Sequence, residues 1–286
     1  MTELRNPAIR SELERAVATG SHAGFFSLLA RFSGLPGPQP NDKLGWAVAG
    51  AVAAHGTRAD ALVRDLCAVG RVAARGTGEF LPIVGAYCLA ARFISGADAA
   101  GVLAALRPLA EDSRHLVRGG VVRALAEMGR ARGDGLVETM AVWTDGYLSA
   151  SAALLAIGTR SWLDAQRSAE PAIARLDESF ALTENASRSD QRSQGYRELL
   201  KVLPDVAARF MDRFPEATLA WFESKAGTEH VELREALGQL SVNAREHGHA
   251  RGKLERFERL FDASAPPRRD PKTYVGPTRK RGSRRR

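Results

Sequence analysis

Residues 112–129 read DSRHLVRGGVVRALAEMG, and this stretch decides the predicted fold. It opens on an acid that can cap a helix, continues with a Val-Arg pair, and closes with an Ala-Leu pair shortly before its last glycine. Its apolar residues recur every three or four positions, which is the spacing of an amphipathic α-helix. Looser copies of the pattern run over 145–158 and 229–237. The stretch therefore predicts a helical unit that occurs more than once in the chain.

Most of the remaining chain has the same helical spacing, and no segment sustains the alternation of a β-strand. We predict an all-α fold of about fifteen helices of roughly 9 to 20 residues, joined by turns of about two to six residues. Such units cannot bury their apolar faces alone, so we predict that antiparallel helical hairpins stack into an α-solenoid. An irregular helical bundle is the alternative, because Ala-Leu-rich helices produce similar repeats by chance. Two predicted helices, 189–203 and 205–213, lie on either side of Pro204.

The last 22 residues hold the net charge of the whole chain. Nine of the 41 Lys and Arg residues lie there with one of the 33 acids, so residues 1–264 are formally neutral although the chain carries +8. Prolines and glycines in 265–286 exclude regular structure, and we predict a helical domain, 1–264, followed by a disordered basic tail, 265–286. A cationic tail suits a nucleic acid; an acidic protein partner and a purely solubilising role are the alternatives. The tail cations are Arg268, Arg269, Lys272, Arg279, Lys280, Arg281, Arg284, Arg285 and Arg286.

The sequence lacks the motifs of several function classes. No uninterrupted apolar run reaches about 18 residues and the N-terminus has no apolar signal core, so we predict a cytoplasmic protein without a membrane span. The chain has no GxxxxGK[ST] phosphate loop, no GxSxG nucleophile elbow and no HExxH metal helix. His247 and His249 have no third ligand at helical spacing and suit a helix C-terminus better than a metal ion. Cys67 and Cys88 are predicted to be reduced core thiols. We therefore predict no metal and no cofactor.

Two Trp–acid pairs are candidates for a ligand site. Trp143 and Asp145 lie two residues apart, as do Trp162 and Asp164, and Tyr147 follows the first pair. An aromatic face beside a carboxylate suits a cationic ligand, because the ring quadrupole attracts the cation and the acid offsets its charge. The structural alternative is a helix cap at Asp145 and core anchors at the two Trp residues.

Basic residues cluster at two places in the helical domain. Arg114, Arg118 and Arg123 lie along one predicted helix, and Arg192 and Arg197 begin another. In a solenoid, equivalent positions on successive inner helices share one face, so these residues are candidates for contacts with a phosphate backbone. A mixed-charge solvated face is the alternative, because acids surround the first cluster.

The stretch 112–129 resembles the second helix of a HEAT repeat, and from about 136 to 240 the chain resembles the HEAT-like bacterial DNA glycosylases that excise positively charged alkylated bases. The residues that carry this second resemblance are Trp143-Thr-Asp145-Gly-Tyr147-Leu148, Ala152-Ala153, Gly195-Tyr196-Arg197-Glu198-Leu199, Phe214-Pro215-Glu216-Ala217, Trp221 and Glu232-Leu233-Arg234-Glu235-Ala236. It implies a concave basic surface that holds DNA. It also implies that Asp145 or Asp164 stabilises positive charge on the sugar while the neighbouring Trp residues hold the base.

These observations favour a nucleic-acid-binding helical-repeat protein, with DNA preferred over RNA and the tail acting as an electrostatic clamp. A role in DNA alkylation repair, and with it any glycosylase activity, follows only from the resemblance. The alternative function is a non-catalytic scaffold of HEAT type whose surface binds another protein.

Overall fold

The computed structural model describes residues 3–68, 76–246 and 251–264, and within these ranges the chain forms fifteen α-helices and no β-strand. The predicted all-α class is therefore confirmed for the described residues. The helices are α1 Pro7–Thr19, α2 Ala23–Arg31, α3 Asp42–Ala54, α4 Asp60–Ala68, α5 Phe80–Ile94, α6 Ala99–Ala110, α7 His115–Arg132, α8 Asp134–Thr139, α9 Tyr147–Ile157, α10 Arg160–Ala165, α11 Glu170–Glu184, α12 Gln194–Arg213, α13 Pro215–Lys225, α14 Val231–Glu246 and α15 Arg251–Ala263.

The helices pack in two rows. In the first row α3, α5, α7, α9, α12 and α14 contact one another in succession. In the second row α6, α8, α11, α13 and α15 do the same, while α4 packs on α5. Successive contacts between neighbours are what a stacked array requires, since each helix buries its apolar stripe against the next.

Side-chain caps explain several helix starts. The Asn6 carboxamide oxygen accepts the backbone N–H of Ala8 at 3.0 Å, and Asn41 accepts that of Leu44 at 3.1 Å. The acid that opens the 112–129 stretch has a different role from the one predicted. Arg114 occupies the N-cap position of α7, and the Asp112 carboxylate accepts the Arg114 backbone N–H at 2.8 Å in the turn before it.

Helix α5 lies at the centre of the first half of the fold. Every residue from Phe80 to Ala91 is buried, because α2, α3, α4, α6 and α7 all contact this helix. The stretch Thr77–Ile94 is long and apolar enough to cross a membrane by length and composition, and 78% of it is buried inside the structure. Its contacts with five neighbouring helices make α5 a core helix of this fold.

Candidate nucleic-acid interface

Both Trp residues of the predicted Trp–acid pairs lie in the core. Trp143 and Trp162 have no exposed surface. The Trp162 indole packs against Gly129 of α7 and donates Nε1–H to the carbonyl of Gly133 at 3.2 Å. Neither ring has a face open to a ligand in this structure. Tyr147 is partly buried, and its ring meets that of Tyr196 edge to face at 5.7 Å.

The acids of the two pairs lie in solvent instead. The Asp145 side chain is 63% exposed and forms an ion pair with Arg107 of α6. The Asp164 side chain is 65% exposed, 3.7 Å from Arg160. Asp164 lines an open cleft of about 630 Å³ together with Gly158, Arg160, Leu163, Arg209, Asp212 and Arg213. In this structure the two rings lie in the core and the two carboxylates lie at the surface, so neither pair presents a ring and a carboxylate together.

Arg114 and Arg118, both predicted to contact phosphates, are buried in ion pairs. The Arg114 guanidinium donates to both oxygens of Asp112, at 2.9 and 2.7 Å, and these hydrogen bonds raise its pKa. Arg118 donates to Glu198 of α12 at 2.7 Å and to the Asp112 carbonyl at 2.8 Å. The side chains of Arg114 and Arg118 are only 4% and 7% exposed. They stabilise the packing of α7, and neither is available to a phosphate backbone.

Arg123 belongs to an aromatic cluster that the sequence analysis did not identify. Its Nε donates to the Tyr87 hydroxyl at 2.6 Å and lies 3.1 Å from Asp42, while the Tyr87 hydroxyl donates to Asp42 at 2.7 Å. Burial raises the Tyr87 pKa, so this phenol stays protonated. The Trp46 ring stacks on Tyr87 at 4.3 Å, and among the four Trp residues it alone is not buried. The sequence signal that could have indicated this cluster is the spacing of Asp42 and Trp46, which lie four residues apart on one helix face.

Arg192 and Arg197 are both exposed and lie with two further exposed cations on α12 and the segment just before it. We define the cationic patch as Arg188, Arg192, Arg197 and Lys201, which are all exposed. Arg197 donates to the Arg192 carbonyl at 2.9 Å, and Ser193 caps α12 by accepting the Tyr196 N–H at 3.1 Å. Lys201 follows Arg197 by one helical turn, and both line the cleft between α12 and α14. Lys201 is not among the predicted site residues, although its spacing of four residues from Arg197 places it on the same helix face.

No carboxylate of the described residues lies within 4 Å of a cation of the patch. Three acids near the patch, two of them close in sequence and one on α14, have hydrogen-bond partners of their own. Glu198 accepts from Arg118, and Asp190 accepts from the Ser187 hydroxyl at 2.7 Å. Glu232 of α14 accepts from the Tyr196 hydroxyl at 2.6 Å. Glu232 and Glu235 line the same cleft as Arg197 and Lys201, but neither forms an ion pair with them, so binding an external anion does not require an ion pair of the patch to break.

A second cleft argues against cysteine chemistry at neutral pH. It has a volume of about 500 Å³, lies between α4, α5 and α6, and includes Cys67 in its wall. Burial raises the pKa of the Cys67 thiol to about 12, so the thiol is protonated near neutral pH and is a poor nucleophile. Cys67 and Cys88 are both free thiols. Within the described ranges no three His, Cys, Asp or Glu side chains are grouped to hold a metal ion.

The nine tail cations, His247 and His249 lie outside the described residues, so their predicted roles stay predictions. The resemblance to HEAT-like glycosylases likewise rests on the sequence motifs alone. Comparison of this chain with protein-family models, with curated proteins and with solved structures finds no match.

Proposed function

We propose that this chain is a nucleic-acid-binding protein with a HEAT-like α-solenoid body, and that its preferred ligand is duplex DNA. The succession of contacts along two rows of helices supports the solenoid part of the proposal. In such an array, residues on successive helices of one row form a continuous surface long enough to follow a phosphate backbone.

The cationic patch is the observation on which the proposal rests. Its four cations have no acidic partner, so binding a phosphate does not require an existing ion pair to break. Arg114 and Arg118 illustrate the opposite case, since each would have to leave a buried carboxylate. The patch places four cations in a body that is formally neutral as a whole, and the tail adds nine more beside one acid.

Binding of this kind is electrostatic and reads little base sequence. Each neutralised phosphate contributes about −0.9 to the slope of log affinity against log salt on duplex DNA. The patch therefore accounts for a slope of about −3 to −4, and the tail for up to about −8. Base excision is not part of the proposal, because Trp143 and Trp162 are closed to a flipped base in this structure.

The test is a salt titration of binding to a mixed-sequence duplex, read by fluorescence anisotropy. Replacing the four patch cations by Gln should make the slope shallower by about three to four. The matched control replaces Arg5, Arg31, Arg58 and Arg64 by Gln. These four are also exposed and also lack a carboxylate within 4 Å among the described residues, but they lie in the first 64 residues.

The control should leave the slope within about one of the wild type. Equal weakening by both sets would mean that net charge alone drives binding and would remove the patch from the proposal. Salt-independent binding to one protein, with no affinity for duplex DNA, would favour the scaffold function instead.

A further inference from the structure

The cleft between α12 and α14 has walls of opposite charge. Arg197 and Lys201 line it from α12, Glu232 and Glu235 line it from α14, and its volume is about 440 Å³. All four residues are exposed, and no ion pair joins one wall to the other. We call this cleft the α12–α14 groove. It holds two cations and two carboxylates that face a common space without neutralising one another.

The floor of the α12–α14 groove is apolar. Leu200 and Pro204 of α12 and Ala236 of α14 also line it, and each of the three is less exposed than the charged residues of the walls. A phosphate backbone pairs with the cationic wall only, since the acidic wall repels it and the floor offers it no polar partner. An amphipathic helix that docks in a groove, in contrast, covers an apolar floor and places its polar flanks against the walls.

The groove follows two helices that run in the same direction. Their first turns lie together, because the Tyr196 hydroxyl donates to Glu232 at 2.6 Å, and the two helices stay in contact beyond this point. The groove continues to Pro204 on α12 and to Asn243 on α14. At about 1.5 Å per residue, these stretches measure about 10 Å from Arg197 and about 16 Å from Glu232. The groove is therefore about two to three helical turns long, which suits a short helix.

We propose that the α12–α14 groove binds an amphipathic helix of a partner protein, and that this helix carries acids along one flank and bases along the other. Its apolar row covers the floor, its acids pair with the cationic wall, and its bases pair with the acidic wall. Such a partner is a different class of ligand from a duplex. Because Arg197 and Lys201 also belong to the cationic patch, the partner helix and a duplex compete for these two cations.

The first test uses a synthetic helical peptide as the probe and the full chain as the receptor. The peptide is Ala-rich, has about 18 residues, and carries a row of Leu with Glu along one flank and Lys along the other. Fluorescence anisotropy measures its affinity, which should change little with salt because the peptide carries equal numbers of the two charges. A control peptide with Gln in place of the Leu row keeps both charged flanks. It should bind about tenfold more weakly, because it does not cover the floor.

The second test removes the acidic wall. The acid-wall variant carries Glu232→Gln and Glu235→Lys, and Gln keeps an oxygen that accepts the Tyr196 hydroxyl hydrogen. Peptide affinity should fall by about five- to tenfold, through two lost pairs and one new repulsion. Duplex affinity should rise, because the repulsion beside the patch is gone. The matched control, Glu14→Gln with Glu138→Lys, changes two exposed acids outside the groove in the same way and should leave peptide affinity within about twofold.

Exchanging the two walls separates charge complementarity from folding. The rescue variant adds Arg197→Gln and Lys201→Glu to the acid-wall variant, so the cationic and the acidic wall change places. A helix can lie in the groove in either direction, so the same peptide, turned end for end, matches both walls again. Its affinity should return to within about threefold of the wild type, whereas duplex affinity should fall below that of the acid-wall variant. A groove that was merely destabilised would not recover on two further substitutions.

Several results would overturn the helix site. One is a peptide that does not bind, or that binds no better than its Gln control. Another is an acid-wall variant with wild-type peptide affinity, or a rescue variant that does not recover. A wild-type dimer that the acid-wall variant abolishes would assign the groove to a second copy of the chain instead. If the wild-type chain binds the peptide but no duplex, the proposed function fails while the helix site stands.

Discussion

Gly129 of α7 shows how one missing side chain places a large residue in the core. The Trp162 indole occupies the space where a Cβ at position 129 would lie. A glycine inside a helix costs about 1 kcal/mol relative to alanine, so its presence in α7 needs such a packing reason. The sequence offered both a core role and a ligand role for Trp162. It could not decide between them, because the deciding contact joins residues that are far apart in the chain.

Gly129→Ala should therefore destabilise the protein in spite of its gain in helix propensity. The gain is about 1 kcal/mol, whereas overpacking a core costs about 1–3 kcal/mol or more, and a methyl that overlaps the Trp162 ring lies at the upper end of this range, so the clash dominates. Gly119→Ala in the same helix is the matched control. Its new methyl would meet only the Arg123 side chain, at 3.5 Å, and should stabilise by about 0.5–1 kcal/mol. Urea unfolding measures both, and equal effects of the two substitutions would contradict this packing.

At the scale of the helices, the spacing of apolar residues predicted most elements and failed where tertiary packing opposes local preference. The chain from 194 to 213 forms one helix, α12, although Pro204 separates two predicted helices. Proline removes one backbone hydrogen bond and costs about 3 kcal/mol inside a helix. Pro204 is itself buried beside Leu233 and Leu237 of α14, and apolar burial along α12 outweighs that cost.

Tertiary packing also separates the predicted phosphate-contacting arginines into buried and exposed residues. The clustering of basic residues along two predicted helices indicated phosphate contacts for Arg114, Arg118, Arg123, Arg192 and Arg197. Glu198, the partner of Arg118, is eighty residues away in the chain, so the sequence does not reveal this pair. Asp112 is only two residues from Arg114, but the burial of their ion pair depends on tertiary packing. Arg192 and Arg197 are exposed, and neither forms an ion pair with a described carboxylate.

The buried pair at the start of α7 leads to a prediction that separates a structural arginine from a binding one. Arg114→Met leaves the Asp112 carboxylate, 1% exposed, without its guanidinium and should cost about 3–5 kcal/mol of unfolding free energy. Arg130→Met at the other end of the helix removes an exposed pair with Glu127 and should cost less than about 1 kcal/mol. Chemical denaturation compares the two variants. Duplex affinity per folded molecule should be unchanged by Arg114→Met, and a stable variant with weakened binding would contradict the structural role.

For the whole molecule, the division of charge was predictable from the sequence and the location of the cationic surface was not. Composition alone places the net charge of +8 in residues 265–286 and leaves the body neutral. A neutral body can bind a polyanion only where its charges are segregated. Where the charges segregate depends on which acids form hydrogen bonds or ion pairs inside the fold. The hydrogen bond from Tyr196 to Glu232 is an example, and it forms only when α12 packs on α14.

The boundary after residue 264 leads to a prediction for the chain as a whole. A chain that ends at Ser264 keeps every described helix and should melt within a few degrees of the full-length protein. A chain that ends at Gly227 also loses α14 and α15, and with them Leu233, Leu237 and Leu240, which are 0%, 4% and 0% exposed. Burial of three leucines stabilises a protein by about 5–9 kcal/mol, comparable to the whole stability of a typical domain, so this shorter chain should not fold cooperatively. Circular dichroism melting distinguishes the two truncations. Cooperative unfolding of the shorter chain would show that the first thirteen helices form a core that does not depend on the last pair, whereas a large loss of stability on removing 265–286 alone would place the tail within the folded unit.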